Sequence, residues 1–256
     1  MQPHERVTAA IRAANEAGRT ALVPFITAGY PEPASFVATL RDVASAGDVV
    51  ELGIPFSDPM ADGMTIQRSS FEALKKGVSL RWIFDELDRA GDIGVPLVMM
   101  SYLNPLLAFG YDRLAERAAL AGVCAFIVPD LPWEESAELA TALERKGLGL
   151  VQLVTPATPE ARLQKLCSAS RGFVYAVTIT GITGGDAVLP ASLAAYLDRV
   201  TKISSLPVCA GFGIRRAADV TSVGRHAAGA IVGSALVEVL EKGDSPSQFL
   251  KALLAQ

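Results

Sequence analysis

A closed (β/α)₈ barrel with one extra N-terminal helix is the fold this sequence predicts, on three observations. Short β-branched runs alternate with amphipathic stretches from residue 21 to the end, the pattern of parallel strands covered by helices. About eight such units fit into 256 residues, the size expected of a barrel, whereas an open doubly wound sheet would use fewer strands. The strand runs are continuously apolar, as strands buried on both faces are.

In chain order, an amphipathic segment Glu5–Glu16 forms the extra helix and is placed to plug the barrel floor. The strands are expected at Ala21–Thr27, Val49–Ile54, Pro96–Tyr102, Ala125–Asp130, Gly149–Thr155, Phe173–Ile179, Pro207–Gly213 and Gly229–Ser234. Helical patterns between them include Ala34–Ala46, Ser79–Ala90, Trp133–Lys146, Pro159–Ala169 and Leu193–Ser204, several closed by Gly47, Gly91 or Gly147 as C-terminal caps. No Pro-, Gly- or Ser-rich linker divides the chain and no close internal repeat appears, so residues 1–256 are read as one domain.

Composition narrows the function. A net charge of -4 with no block of like charges offers no basic face to nucleic acid or an anionic membrane. Cys124, Cys167 and Cys209 lie more than 40 residues apart, which rules out C-x-x-C spacing and reads as buried fillers in a reducing compartment. The first six residues, Met1-Gln2-Pro3-His4-Glu5-Arg6, lack the apolar stretch of a signal peptide, and the expected location is the cytoplasm. His4 and His226 are the only imidazoles, a poor supply for a Ser-His-Asp site or a His-based metal centre.

The working face of such a barrel collects the C-terminal ends of its strands. There the second strand carries Glu51 inside an apolar run. Burial keeps an isolated carboxyl protonated, which suits a group that gives a proton and takes it back; a structural ion pair with a barrel cation is the equal alternative. Asp58 and Asp62 follow in a Pro/Gly-rich loop where turn or capping roles are common, and Asp62 is singled out by its place above the mouth. The turns carrying Gly211-Phe212-Gly213 and Gly233-Ser234, each leading into a helix, form a phosphate cradle in this reading, with Gly181-Ile182-Thr183-Gly184-Gly185 as a third wall that closes over substrate. Tyr102 and Tyr175 fall at strand ends, where they flank a ring or fill the barrel top. The residues thus point to a phosphorylated substrate and acid/base carboxylates, with neither a metal nor an organic cofactor called for.

The run Glu51-Leu52-Gly53-Ile54-Pro55-Phe56-Ser57-Asp58-Pro59-Met60-Ala61-Asp62-Gly63 closely resembles the signature of tryptophan synthase α subunits. The resemblance continues through Thr27-Ala28-Gly29-Tyr30-Pro31, Met100-Ser101-Tyr102-Leu103-Asn104-Pro105, Pro129-Asp130-Leu131-Pro132, Gly181-Ile182-Thr183-Gly184, Gly211-Phe212-Gly213 and Gly233-Ser234. It implies a TIM barrel that splits indole-3-glycerol phosphate into indole and glyceraldehyde 3-phosphate. It also implies Glu51 and Asp62 as catalytic carboxylates, Tyr175 beside them, and Gly184, Gly213, Gly233 and Ser234 as phosphate ligands. Thr183 would be the loop threonine that orders the aspartate, and Asp58, Asn104 and Pro132 would lie on the face that docks a pyridoxal-phosphate β subunit in an α₂β₂ assembly. A stand-alone indole-releasing lyase, a mainly regulatory subunit and an isomerase of the same pathway are the alternatives. Met64, Thr178 and Ile182 depart from the usual proline, serine and valine, the first of them at the Asp62 loop.

Overall fold

The computed structural model describes residues 1–178, 189–211 and 213–255. Eight parallel strands close into a barrel in chain order. They are β1 (Ala21–Thr27), β2 (Val50–Gly53), β3 (Leu97–Met100), β4 (Val123–Ile127), β5 (Gly149–Val154), β6 (Val174–Val177), β7 (Val208–Gly211) and β8 (Gly229–Val232). β1 closes the ring by pairing with β8, Ala21 opposite Gly229.

The period-two rule sorts the side chains. On β1, Ala21 and Val23 join an inner cluster with Val98, Cys124, Val151, Phe173, Cys209 and Ile231, while Leu22 and Ile26 join the layer between strands and helices. The register sets Phe25 opposite Glu51 and Leu153 opposite Tyr175, so these four stand in the barrel rather than outside it.

The first helix, α1 (Pro3–Glu16), starts two residues earlier than expected because Pro3 takes the first helical position, where a missing N–H costs nothing. It buries Val7, Ile11 and Ala14 in the inner cluster, and the Thr8 hydroxyl donates to Gly172 O at 2.6 Å. The barrel is therefore stoppered at the N-terminal end of its strands. Helices α2 (Phe36–Ala44), α3 (Met64–Lys75), α4 (Leu80–Ala90), α5 (Leu103–Phe109), α6 (Tyr111–Leu120), α7 (Ala137–Glu144), α8 (Glu160–Ala169), α9 (Ala191–Ile203), α10 (Ala217–Gly224), α11 (Ser234–Glu241) and α12 (Pro246–Leu254) complete the described residues.

Several boundaries move for local reasons. The stretches Ala34–Ala46 and Trp133–Lys146 each open with a short 3₁₀ turn, at Pro33–Ser35 and Trp133–Glu135, before α2 and α7 begin. Gly91 and Gly147 turn the chain at φ 61° and 70°, as caps should. Gly47 does not: a Cβ there would lie 2.7 Å from Pro24 Cγ, so close packing on β1 requires that glycine. Strand β4 lies two residues earlier than expected, since Gly122 turns at φ 77° directly into Val123 and Pro129 lies beyond the ladder. Ser234, expected at the end of β8, is instead the first residue of α11.

Met64, the departure from proline, occupies the first position of α3 and is 77% exposed, after Gly63 in an extended conformation (φ -72°, ψ 162°). That is the conformation a residue before proline prefers, at a position where proline loses no helical bond. Met64→Pro should therefore stabilise the fold by about 0.4–1 kcal/mol through the unfolded chain. Denaturant midpoints would measure this, and destabilisation would show that the loop does not fit proline.

Candidate active site

β2 delivers Glu51 to the barrel interior with 1% of its surface exposed, and its Oε2 has no hydrogen-bond partner among the described residues. It faces a cavity of about 280 Å³ at the C-terminal ends of the strands, walled by Phe25, Met100, Leu153 and Ile231. An anionic carboxylate loses its hydration there, so burial, with a smaller contribution from the charge of Asp62, pushes the Glu51 carboxyl up to about 8. No cation lies within ion-pair distance of it among the described residues, which disfavours the structural ion pair. At neutral pH Glu51 is therefore protonated, with no hydrogen-bond partner for Oε2 among the described residues.

Asp62 enters the same cavity from the loop between β2 and α3. The Tyr102 hydroxyl donates to Asp62 Oδ2 at 3.1 Å and accepts from Ala61 N–H at 2.8 Å, and the Tyr102 ring stacks on Phe56 with centroids 5.2 Å apart. Gln67 Nε2 donates to the Asp62 carbonyl at 2.9 Å. Burial raises the Asp62 carboxyl to about 6 while the Tyr102 hydrogen bond pulls it down. Near pH 7 the two carboxyls therefore differ, one charged and one neutral, the separation that lets a pair take distinct roles.

Tyr175 lines the same cavity and is kept neutral, first by burial and then by the charges of Glu51 and Asp62, which raise its phenol well above the ordinary range. Gly211 makes room for it: a Cβ at 211 would lie 2.6 Å from Tyr175 Oη.

Across the cavity, Gly213 turns at φ 41°, Gly233 caps α11, and Ser234 begins that helix; all three line the same space. The first N–H groups of a helix have no internal partner, and the helix field favours an anion there. A Cβ at Gly233 would meet Phe25 Cβ at an ordinary 3.8 Å, so the fold itself leaves room for a methyl group. Gly233→Ala should thus weaken phosphorylated ligands about tenfold or more by crowding those N–H groups, while indole affinity stays within about twofold. Calorimetric titration separates the two, and equal losses would indicate collapse of the barrel top instead.

The family model described as tryptophan synthase alpha chain matches residues 11–256. The chain belongs to the tryptophan synthase alpha chain family. It is similar to the tryptophan synthase alpha chain of Desulfovibrio desulfuricans, 44% identical over 244 residues that cover 94% of this chain and 96% of the relative. That of Roseiflexus castenholzii is 45% identical over 237 residues, covering 91% and 90% of the two chains. Among solved structures, tryptophan synthase from M. tuberculosis superposes with a TM-score of 0.88 at 33% identity, covering 97% of this chain and 96% of that one. The alpha subunit from Legionella pneumophila gives 0.87 at 31% identity, with 99% and 96% covered. The reaction of the tryptophan synthase alpha chain family is lyase cleavage of indole-3-glycerol phosphate, and the closed barrel agrees with the fold expected from the sequence.

Of the residues that the resemblance to tryptophan synthase α subunits singles out, Glu51, Asp62, Tyr175, Gly213, Gly233 and Ser234 converge on one cavity. Tyr102, the residue before α5, is not among the residues that line it, and its hydroxyl bonds to the Asp62 loop through Ala61 and Asp62. Thr178 lines the cavity and its hydroxyl donates to Gly211 O at 3.2 Å, a bond the family's serine would also make. Thr183, Gly184, Gly181, Gly185 and Ile182 lie outside the described residues. Asp58, Asn104 and Pro132 are exposed, just past the ends of β2, β3 and β4. The sequence reading missed Gln67 and the apolar wall of Phe25, Met100, Leu153 and Ile231; inward alternation along each strand is the signal that finds the wall.

Proposed function

We propose that the chain performs the family's cleavage with Glu51 as the proton-transferring group and Asp62 as the electrostatic partner of the indole nitrogen. The observation that carries this reading is Glu51 itself, a buried carboxyl whose Oε2 has no partner among the described residues and which lines the cavity that Asp62 and the glycine cradle share. Glu51 gives its proton to indole C3, leaving positive charge on the ring nitrogen, whose N–H donates to the Asp62 carboxylate. The Glu51 carboxylate then takes the proton of the adjacent side-chain hydroxyl. As that hydroxyl becomes the aldehyde, the bond to C3 breaks, its electron pair restores the neutral indole, and Glu51 is protonated again. Gly213, Gly233 and Ser234 hold the phosphate, and Tyr175, neutral throughout, packs beside the reacting carbons.

The proton states set a pH dependence. Below about 6 Asp62 gains a proton and loses the charge that the ring cation needs, and above about 8 Glu51 has lost the proton it must give. Indole release from indole-3-glycerol phosphate should follow a bell with limbs near those values in kcat/KM. Absence of indole release by the purified chain, with and without a β subunit, would overturn the lyase reading, and a flat profile would remove the two carboxyls from it.

The family pairs with a β subunit. We infer that this chain docks a pyridoxal-phosphate β subunit as α₂β₂ through the exposed Asp58, Asn104 and Pro132 at three successive strand ends, and that it works as one domain in the cytoplasm. Among the described residues no helix is long and apolar enough to cross a membrane. Comparing indole release with and without the β subunit distinguishes a dependent subunit from a stand-alone lyase.

A further inference from the structure

The two-turn helix α11, whose first residues form part of the cradle, is gripped by two forked ion pairs that the mechanism does not use. Arg215, two residues beyond Gly213, donates from Nη1 and Nη2 to the two carboxylate oxygens of Glu238 at 2.7 and 2.8 Å. Three residues on, Glu241 receives Arg68 of α3, whose Nη2 donates to both its oxygens at 2.7 and 2.9 Å and whose Nε donates to Oε1 at 3.1 Å; the Tyr30 hydroxyl donates to the same Oε1 at 2.8 Å. All four charged side chains are partly open to solvent, between 24% and 54% exposed, so these pairs add little to stability. Their geometry matters more, because a guanidinium fork meets a carboxylate in one planar arrangement and fixes relative position.

What they fix is specific. Arg68 follows Gln67, which holds the Asp62 carbonyl, and α3 begins two residues after Asp62. One fork thus ties the cradle helix to the helix that carries the Asp62 loop, and the other ties it to the Gly213 turn. We propose that Glu241 and Glu238 are positioning residues that set the separation between the phosphate cradle and Asp62, so that one molecule joining a phosphate to an indole ring can reach both. This rests on the cavity's assignment to such a substrate.

The test measures three ligands on the full chain: glyceraldehyde 3-phosphate, indole, and indole-3-glycerol phosphate. In Glu241→Gln and Glu238→Gln each separate fragment should bind within about twofold of wild type, while the joined substrate loses about tenfold in affinity or in kcat/KM, since only it senses the spacing. The charge-exchanged pair Arg68→Glu with Glu241→Arg should recover most of what Glu241→Gln loses. Equal losses for all three ligands, no loss for the joined substrate, or no recovery in the exchanged pair would overturn the proposal. A wild type that binds the joined substrate but releases no indole would end the lyase reading alone, with the affinities still deciding this one; a wild type that binds none of the three would end both.

Discussion

Glu51→Gln should lower indole release by at least about 10²-fold, because the amide matches the acid in shape and has no proton to give to C3. Single-turnover formation of indole is the measurement, and near-normal turnover would take Glu51 out of the mechanism. The same substitution carries a second signature in stability. The folded-state carboxyl sits at about 8 against an ordinary 4.5, so the native state binds a proton that the unfolded chain releases. Stability from this group is complete below pH 4.5 and is lost as pH rises to about 8, a decline of up to about 5 kcal/mol that glutamine would remove. Unfolding curves for wild type and Glu51→Gln should therefore converge in acid and separate in alkali, the variant being the more stable there. Parallel pH dependence in the two proteins would mean that the carboxyl is hydrated in solution.

Asp62→Asn should cost about 10² to 10³-fold in kcat with a much smaller change in KM, since a neutral acceptor still meets the indole N–H but no longer opposes the positive charge that grows on the ring. The Tyr102 hydroxyl can donate to an amide oxygen as it does to Oδ2, so the loop has little reason to move. Its phosphorylated and aromatic ligands should bind nearly as before. A variant whose KM rises while kcat is kept would make Asp62 a binding residue only. The acid limb of the pH profile should also vanish in Asp62→Asn and persist in Glu51→Gln at whatever residual rate remains.

How much of this was legible in the chain depended on whether the signal was local. Eight apolar runs were enough for the barrel because strands buried on both faces leave continuous stretches such as Val49–Ile54. Strand ends were not legible to the residue: Ser234 belongs to a helix because the chain turns at Gly233, and Val123 starts β4 because Gly122 turns first. Glu51 declared itself as a charge among hydrophobes, yet whether it was an acid or half of an ion pair depended on what stood across the barrel, which no local pattern contains. Tyr102 shows the same limit in reverse. Its position after β3 fits a ring-flanking residue, and only the three-dimensional approach of Ala61 and Asp62 to its hydroxyl reveals that it also bonds the loop. Arg68 and Glu241, 173 positions apart, carried no signal at all.

The helix at the start of the chain bears on traffic as much as on folding. With Val7, Ile11 and Ala14 wedged among the inner side chains, the floor below Glu51 is filled among the described residues, and the chamber lies toward the opposite end of the strands. Fragments of a split molecule are then expected to leave past the strand ends and not through the floor.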